Sequence, residues 1–407
     1  MKKITIIAFA SVLFSTQSSA QDDFGGNDYL NNLNTISTSV PFLLIAPDSR
    51  AGAMGDVGAA TTPDQNSIHW NASKLAFLEE ANGFSISYTP WLQDLVPEIS
   101  LSYLSGFKRI NKRSTLAASL RYFSLGEIQF TDNQGNSLST FTPNEFAIDG
   151  AYAMKLSENF SSGLAMRYIY SNLTGGINTS GGGVTKPGTS FAVDLSSYYQ
   201  SDNFQVEDKD AYWAAGINIS NLGNKISYTD AGEEHFLPTN GRLGASFNME
   251  LDKYNSVSFA VDINKLLVPT PPEYAVDEDN DPIYDENGNQ VIEAGQDPNV
   301  GTVQGVFQSF NDAPGGMQEE LNELMYSVGM EYWYLKQFAF RGGYFHEHAT
   351  KGNRKYFTVG VGLRMNVFSL DMAFLLPAQQ GQRSPLANTL RFTMLFDMAA
   401  LYSTDKE

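Results

Sequence analysis

The chain of 407 residues has no cysteine, 27 Phe, 20 Tyr and 35 Gly, only 17% charged residues, and a formal net charge of −19. Without cysteine there is no disulfide scaffold, thiol catalysis or zinc–thiolate centre, and so acidic a chain is a poor partner for nucleic acid, whose phosphates are bound by Lys and Arg. Abundant aromatics and glycine with few charges favour strands with aromatic girdles over helices.

In chain order, residues 1–20 (MKKITIIAFASVLFSTQSSA) read as a secretory signal peptide. Lys2 and Lys3 precede an apolar run from Ile4 to Phe14, and Ser-Ser-Ala stands before Gln21, the pattern of a cleaved leader too short to span a bilayer. No cysteine follows that cut, which excludes a lipid anchor on the new N-terminus. Residues 21–82 include VPFLLIAPDSRAGAMGDVGAATTPDQNSIHW, apolar and rich in Gly and Ala but without a regular period. This segment is expected to fold as a plug, with a hatch over a ligand path as the sharper alternative.

From residue 83 onward the sequence alternates. Side chains on a strand point by turns to its two faces, which predicts strands at 83–89, 98–107, 114–123, 144–155, 160–171, 190–200, 211–220, 240–249, 255–264, 322–334, 337–347, 354–366, 367–376 and 388–398, fourteen in all. The stretch from Tyr356 shows the rule. Phe357, Val359, Val361, Leu363, Met365 and Val367 share one face; Tyr356, Thr358, Gly360, Gly362, Arg364 and Asn366 share the other. An Arg facing lipid at mid-membrane costs roughly 2–4 kcal/mol, so the aliphatic row faces lipid and the Arg/Asn/Gly row faces a lumen. The same parity turns Arg121, Arg167, Asp194, Asp262, Arg364, Asp371 and Arg391 inward, and opposite charges there imply a polar, cross-linked, closed interior. Which of them touch is left open.

Connection lengths test this topology independently. Outer-membrane barrels have short periplasmic turns and longer external loops. With a periplasmic N-terminus, the turns at 157–159, 335–336 and Asn366 fall inside, and the long connections 124–143, 172–189, 221–239 and 265–321 fall outside. An even strand count returns 399–407 to the periplasm as a polar tail. The alternative is a soluble β-sandwich, whose strands are nearer five or six residues.

Few residues suggest chemistry. His346 and His348 are two apart at an outer strand end and could share a face toward a metal, but a solvated loop mouth is the plainer reading, and no metal or cofactor is expected. His69 and Ser73 in HWNAS lie near each other without an identifiable orienting acid. DEDND at 277–281 begins like a calcium loop but lacks the required Gly and Glu; the sequence there reads better as an acidic hairpin around Asn287-Gly288. Lys108, Arg109, Lys112 and Arg113 form a basic turn on the periplasmic side. DAPGGMQEELNELM predicts a short helix with Met317, Leu321 and Leu324 on its inner side. Apolar residues of the external connections point to a partner surface: Trp91, Leu92, Phe130, Phe141, and the proline-stiffened Pro269, Pro271, Pro272 and Tyr274, whose extended chain loses little entropy on binding.

Several phrases combine. DSRAGAMGDVGAATTPDQNSIHWNASKLAF, NISNLGNKISY, FLPTNGRLGASF, VDINKLLVPTPP and RGGYFHEHATKGNRKYFTVGVGLRM together resemble the PorV family of the type IX secretion system of Bacteroidetes, within the wider group of FadL-like barrels. Two departures are HWNAS, where the wider group has Asn-Pro-Ala, and a polar tail beyond Phe396. The resemblance implies an all-β, 14-stranded antiparallel transmembrane β-barrel at 83–398 with an N-terminal plug segment, integral to the outer membrane. It also implies a non-enzymatic role: binding the C-terminal signal domain of cargo leaving the outer-membrane translocon barrel, and shuttling it to the surface attachment and signal-peptidase complex. The competing reading is a FadL-like transporter of hydrophobic small molecules.

Overall fold

Long alternating strands bury one face on a lumen and offer the other to lipid, and a closed ring leaves none of their backbone edges unpaired. The computed structural model describes residues 33–92, 96, 98–131, 137–175, 185–229, 232, 234–378 and 389–398. The expected leader and tail lie outside the described residues, as does the side chain of Phe130. Among the described residues fourteen long strands form one antiparallel ring. They are β1 (Asn82–Pro90), β2 (Ile99–Arg109), β3 (Ser114–Leu125), β4 (Asn144–Lys155), β5 (Phe160–Asn172), β6 (Gly188–Gln200) and β7 (Lys209–Gly223). The second half comprises β8 (Asn240–Glu250), β9 (Ser256–Leu266), β10 (Met325–Tyr334), β11 (Phe338–His346), β12 (Lys355–Arg364), β13 (Phe368–Pro377) and β14 (Leu390–Asp397). The ring closes where β14 meets β1, with Phe84 opposite Phe396 and Tyr88 opposite Phe392.

All fourteen expected strands are present, each end within three residues of its expected place. The strand expected at 322–334 starts at Met325 because Gly316–Asn322 is helical. The one expected at 211–220 runs from Lys209 to Gly223, with a register shift between Ile219 and Leu222. There Asn221 takes the left-handed conformation (φ 60°), a bulge that re-aims its side chain. The turn between β10 and β11 has Leu335 and Lys336 both at positive φ, the geometry that matches the twist of a tight hairpin.

Register follows the expected parity. On β12 Phe357, Val359 and Val361 are about half exposed on the outer wall, while Tyr356 and Thr358 are buried. Short turns gather at one end of the ring and long connections at the other.

Residues 35–78 add no strand. They form a 3-10 turn (Pro41–Leu44), α1 (Ser49–Gly52), α2 (Ser67–Trp70) and a second 3-10 stretch (Ala72–Phe77). Short caps hold these pieces: the Asp48 carboxylate accepts the Ala51 N–H at 2.9 Å, as an N-cap acid does. Val40, Phe42 and Leu43 pack with Leu101, Phe123 and Ile169 near the long-connection end. Ile68, Leu75 and Leu78 pack with Tyr103, Phe107 and Ala153 deeper in the ring. Inward glycines admit this backbone: a Cβ on Gly343 would stand 2.6 Å from the Met54 carbonyl oxygen. A further pair of helices, α3 (Thr302–Gln308) and α4 (Gly316–Asn322), lies in the connection between β9 and β10.

Candidate functional site

A charge buried in a lumen is costly unless it is paired and hydrogen-bonded, and the inward acids and bases of this ring are joined in chains. Arg50 of α1 donates to both Glu331 oxygens, at 2.8 and 3.1 Å, and to Asp64 at 3.0 Å. Glu331 on β10 also accepts Arg341 Nε from β11 at 2.6 Å, and Arg341 Nη1 reaches Asp371 on β13 at 2.6 Å. One network thus ties the N-terminal segment to three strands.

Two more tie it to the rest of the wall. Asp56 accepts Arg391 from β14 at 2.9 Å and the Tyr356 hydroxyl from β12 at 2.6 Å. Asp262 on β9 accepts the Gly58 and Ala59 N–H groups at 2.7 and 3.0 Å and Arg242 at 3.2 Å. On the opposite side Arg167 lies between Asp149 (2.5 Å) and Asp194 (3.0 Å) and also donates to the bulged Asn221. Arg121 donates to the Leu43 carbonyl at 2.6 Å, and its second Nη lies 2.6 Å from His69 Nδ1. Within the segment, Trp70 Nε1 donates to Asp48 at 2.6 Å, and Lys74 donates to the Gly58 carbonyl at 2.7 Å and the Thr61 hydroxyl at 2.9 Å.

Of the seven charges assigned inward by parity, Arg121, Arg167, Asp194, Asp262, Asp371 and Arg391 are buried. Arg364 has the same parity but stands exposed at the short-turn rim, stacked 4.4 Å over the Trp333 ring. Their partners Asp149, Arg242, Glu331 and Arg341 were open to the same parity rule. Arg50 and Asp56 were not, because their segment has no period. His69 and Ser73, near in sequence, serve different networks: the Ser73 hydroxyl bonds Asn71 and His69 faces Arg121. His346 and His348 likewise part, the first beside the Tyr344 hydroxyl (3.3 Å) and the second beside the Thr350 hydroxyl (2.9 Å). The basic turn sits at the short-turn end, where Arg109 donates to the Leu78 carbonyl at 3.1 Å.

At the other end, the connection between β9 and β10 is built from its polar residues inward. Lys265 at the tip of β9 bonds Glu320 at 3.0 Å and also Glu323. Lys351, in the connection between β11 and β12, bonds Glu323 at 3.0 Å and Glu319 at 2.5 Å. Glu320 also accepts the Asp312 and Ala313 N–H groups at 2.8 and 3.0 Å, and Asp312 accepts the Thr270 N–H at 3.1 Å. Burial, together with Glu320 and Glu323 nearby, pushes the Asp312 carboxyl up to about 6. This reverses the expected face of α4. Its acids point in toward lysines from distant parts of the chain, while Met317 and Leu321 are exposed and Leu324 is half-buried.

The residues expected to meet a partner are redistributed in the same way. Pro269 and Pro272 are buried and Pro271 half-buried. Pro269 packs under Gly305 of α3, where a Cβ would come within 3.0 Å of its ring, and Pro272 packs under Gly295. Trp91 and Leu92 pack against the Val40–Phe42–Leu43 cluster, and Phe141 is half-buried. Tyr274 is exposed. The most exposed apolar side chains of this end are others: Phe307 is 74% exposed, Met317 70% and Val303 64%, with Phe310 and Leu321 about half exposed. Val303 and Phe307 stand four apart on α3, and Met317 and Leu321 four apart on α4, so each pair makes one ridge. The four-then-three spacing of Val303, Phe307 and Phe310 is the signal in the sequence that could have found this ridge.

That hairpin is solvated, as expected. The Asp277 side chain accepts the N–H groups of Asp279 and Asp281, and Asp285 those of Asn287 and Asn289, at 2.8–2.9 Å. These backbone donors, Asn289 first, hold the Asp285 carboxyl below its usual value.

No curated protein is significantly similar to the chain. Solved barrels resemble it distantly. The toluene transporter TbuX of Ralstonia pickettii has a TM-score of 0.44 and 12% identity over 86% of this chain and 96% of its own. A FadL homologue of Pseudomonas aeruginosa has 0.41 and 11% over 90% and 99%, and the toluene transporter TodX of Pseudomonas putida 0.44 and 10% over 85% and 96%. Likeness of this degree says nothing of what this chain binds. The family model described as type IX secretion system protein PorV matches residues 28–273, more than half of the chain. With a closed fourteen-stranded ring, a lipid-facing apolar wall and that match, the chain is an integral outer-membrane β-barrel and belongs to the PorV family of type IX secretion system proteins.

Proposed function

We propose that this barrel is a non-enzymatic carrier of secreted proteins: it binds the C-terminal signal domain of cargo leaving the translocon barrel and passes it to the surface attachment complex. The observation that carries the reading is the contrast between its two surfaces. The lumen is occupied by the chain's own residues 35–78 and cross-linked by buried ion pairs. The long-connection end exposes apolar ridges on α3 and α4, which a conduit for small solutes does not require. Cargo is therefore held on the outside of the barrel, beside the loops, rather than led through it. Residues 35–78 act as a fixed plug, and 265–321 is the principal contact connection, with Tyr274 and the α3–α4 ridges as its contact residues.

A photo-crosslinking residue at Phe307, placed in the full-length protein in native outer membranes, tests this. Adducts with secreted proteins through their C-terminal domains, together with co-purification of a very large barrel, are the expected result. Adducts with neither, and fatty acids bound in the lumen, would instead establish the transporter of hydrophobic small molecules.

A further inference from the structure

The connection from Leu267 to Leu324 contains thirteen acidic residues and no basic one. Four of them, Asp312, Glu319, Glu320 and Glu323, are engaged in the bonds that fold it onto Lys265, Lys351 and Thr270. The other nine, Glu273 to Asp297, are all exposed. The same connection carries Val303, Phe307, Phe310, Met317 and Leu321 outward. Apolar anchors within an acidic surround are therefore presented by one segment whose underside is locked by ion pairs.

Those charges select among occupants. An anionic lipid headgroup surface is repelled by nine unpaired carboxylates. A second copy of this chain would set the same nine acids against themselves, an arrangement that interfaces avoid. Small ligands prefer concave pockets, and two helical ridges are convex. What remains is a protein surface of opposite sign.

Resting on the carrier role above, we propose that the α3–α4 face docks a folded domain whose contact surface is an aliphatic strip rimmed by lysines and arginines. The acidic hairpin steers the encounter and the ridges hold the complex.

Binding kinetics separate the two parts. The full mature chain in nanodiscs is immobilised, and a purified C-terminal signal domain of a protein secreted by the same cell is passed over it at about 50 and about 300 mM NaCl, between which the screening length shortens about 2.5-fold. The association rate is expected to fall about tenfold between those salts, as for steered encounters. A neutralised variant (Glu278→Gln, Asp279→Asn, Glu286→Gln, Glu293→Gln) should show the low rate at both salts with its dissociation rate unchanged; Asp277 and Asp285, which fold the hairpin, are kept. A second variant (Phe307→Ser, Met317→Ser) should dissociate at least about tenfold faster with its association rate unchanged, as loss of interface anchors does. Binding by the unaltered protein that neither variant changes overturns this proposal and leaves the carrier role standing. A salt-independent rate with loss only in the serine variant overturns the basic rim. Capture of phosphatidylglycerol vesicles by the ridges overturns the choice of a protein partner. Failure of the unaltered protein to bind any signal domain overturns the carrier role itself.

Discussion

Replacing Glu331 by Gln removes the one charge that Arg50 and Arg341 share. Both Glu331 oxygens are in use: Arg50 takes them at 2.8 and 3.1 Å, and Arg341 takes one of them at 2.6 Å. The glutamine amide keeps a single acceptor and turns its NH2 toward one guanidinium, so one arginine loses its bond to residue 331 and the two cations lose the anion between them. Breaking one side of a buried ion pair costs about 3–5 kcal/mol. Arg341 retains Asp371 at 2.6 Å, and Arg50 retains Asp64 and the Thr62 carbonyl. The cost therefore falls on the attachment of α1 to the wall, and the ring itself stays closed. Hydrogen exchange in nanodiscs reads this directly. Protection at Gly52, Ala53 and Met54, whose amides bond within α1, should drop by about the same 3–5 kcal/mol, while β3 to β5 stay protected. In the Arg50→Gln background the same substitution should cost much less, because the coupled partner is already gone. Unchanged protection of α1, or equal costs in both backgrounds, would refute the view that this ion pair holds the segment in the lumen.

Three further outcomes follow from the same geometry. Gly343→Val should displace the N-terminal segment, since even a Cβ there meets Met54 and Gly55; Gly342→Val, facing outward with its nearest contact at 3.8 Å, should be silent, and limited proteolysis within 48–62 distinguishes them. Lys265→Met should loosen α4 by leaving Glu320 without its lysine and Glu323 with only Lys351 and the Thr270 hydroxyl, at a local cost of about 3–5 kcal/mol measured as exchange at the Glu323 amide. The Asp312 carboxyl, raised to about 6 by burial, favours the folded connection when protonated. Protection of the Thr270 amide should accordingly rise as pH falls from 7 toward 5, level off below the unfolded aspartate value of about 4, and become flat in Asp312→Asn.

How much was legible in the sequence depended on whether the signal was local. Strand existence, number and facing were legible because alternation is a two-residue property, and a single Arg364 or Asp371 within an aliphatic run decides which row meets lipid. The sorting of short turns and long connections to opposite ends of the ring followed from their lengths. Pairing among the charges was not legible: Arg391 meets Asp56 and Arg50 meets Glu331 across hundreds of residues, through a segment that carries no period. The α4 helix shows the limit most sharply. Its amphipathic pattern, taken alone, places Met317 and Leu321 inward. Only the folded chain brings Lys265 and Lys351 beneath it, and burying two salt-bridged acids there turns the apolar side outward. Local pattern thus determined the barrel by itself, while the tertiary structure decided which charges compensate each other, and with that which apolar residues are left for a partner.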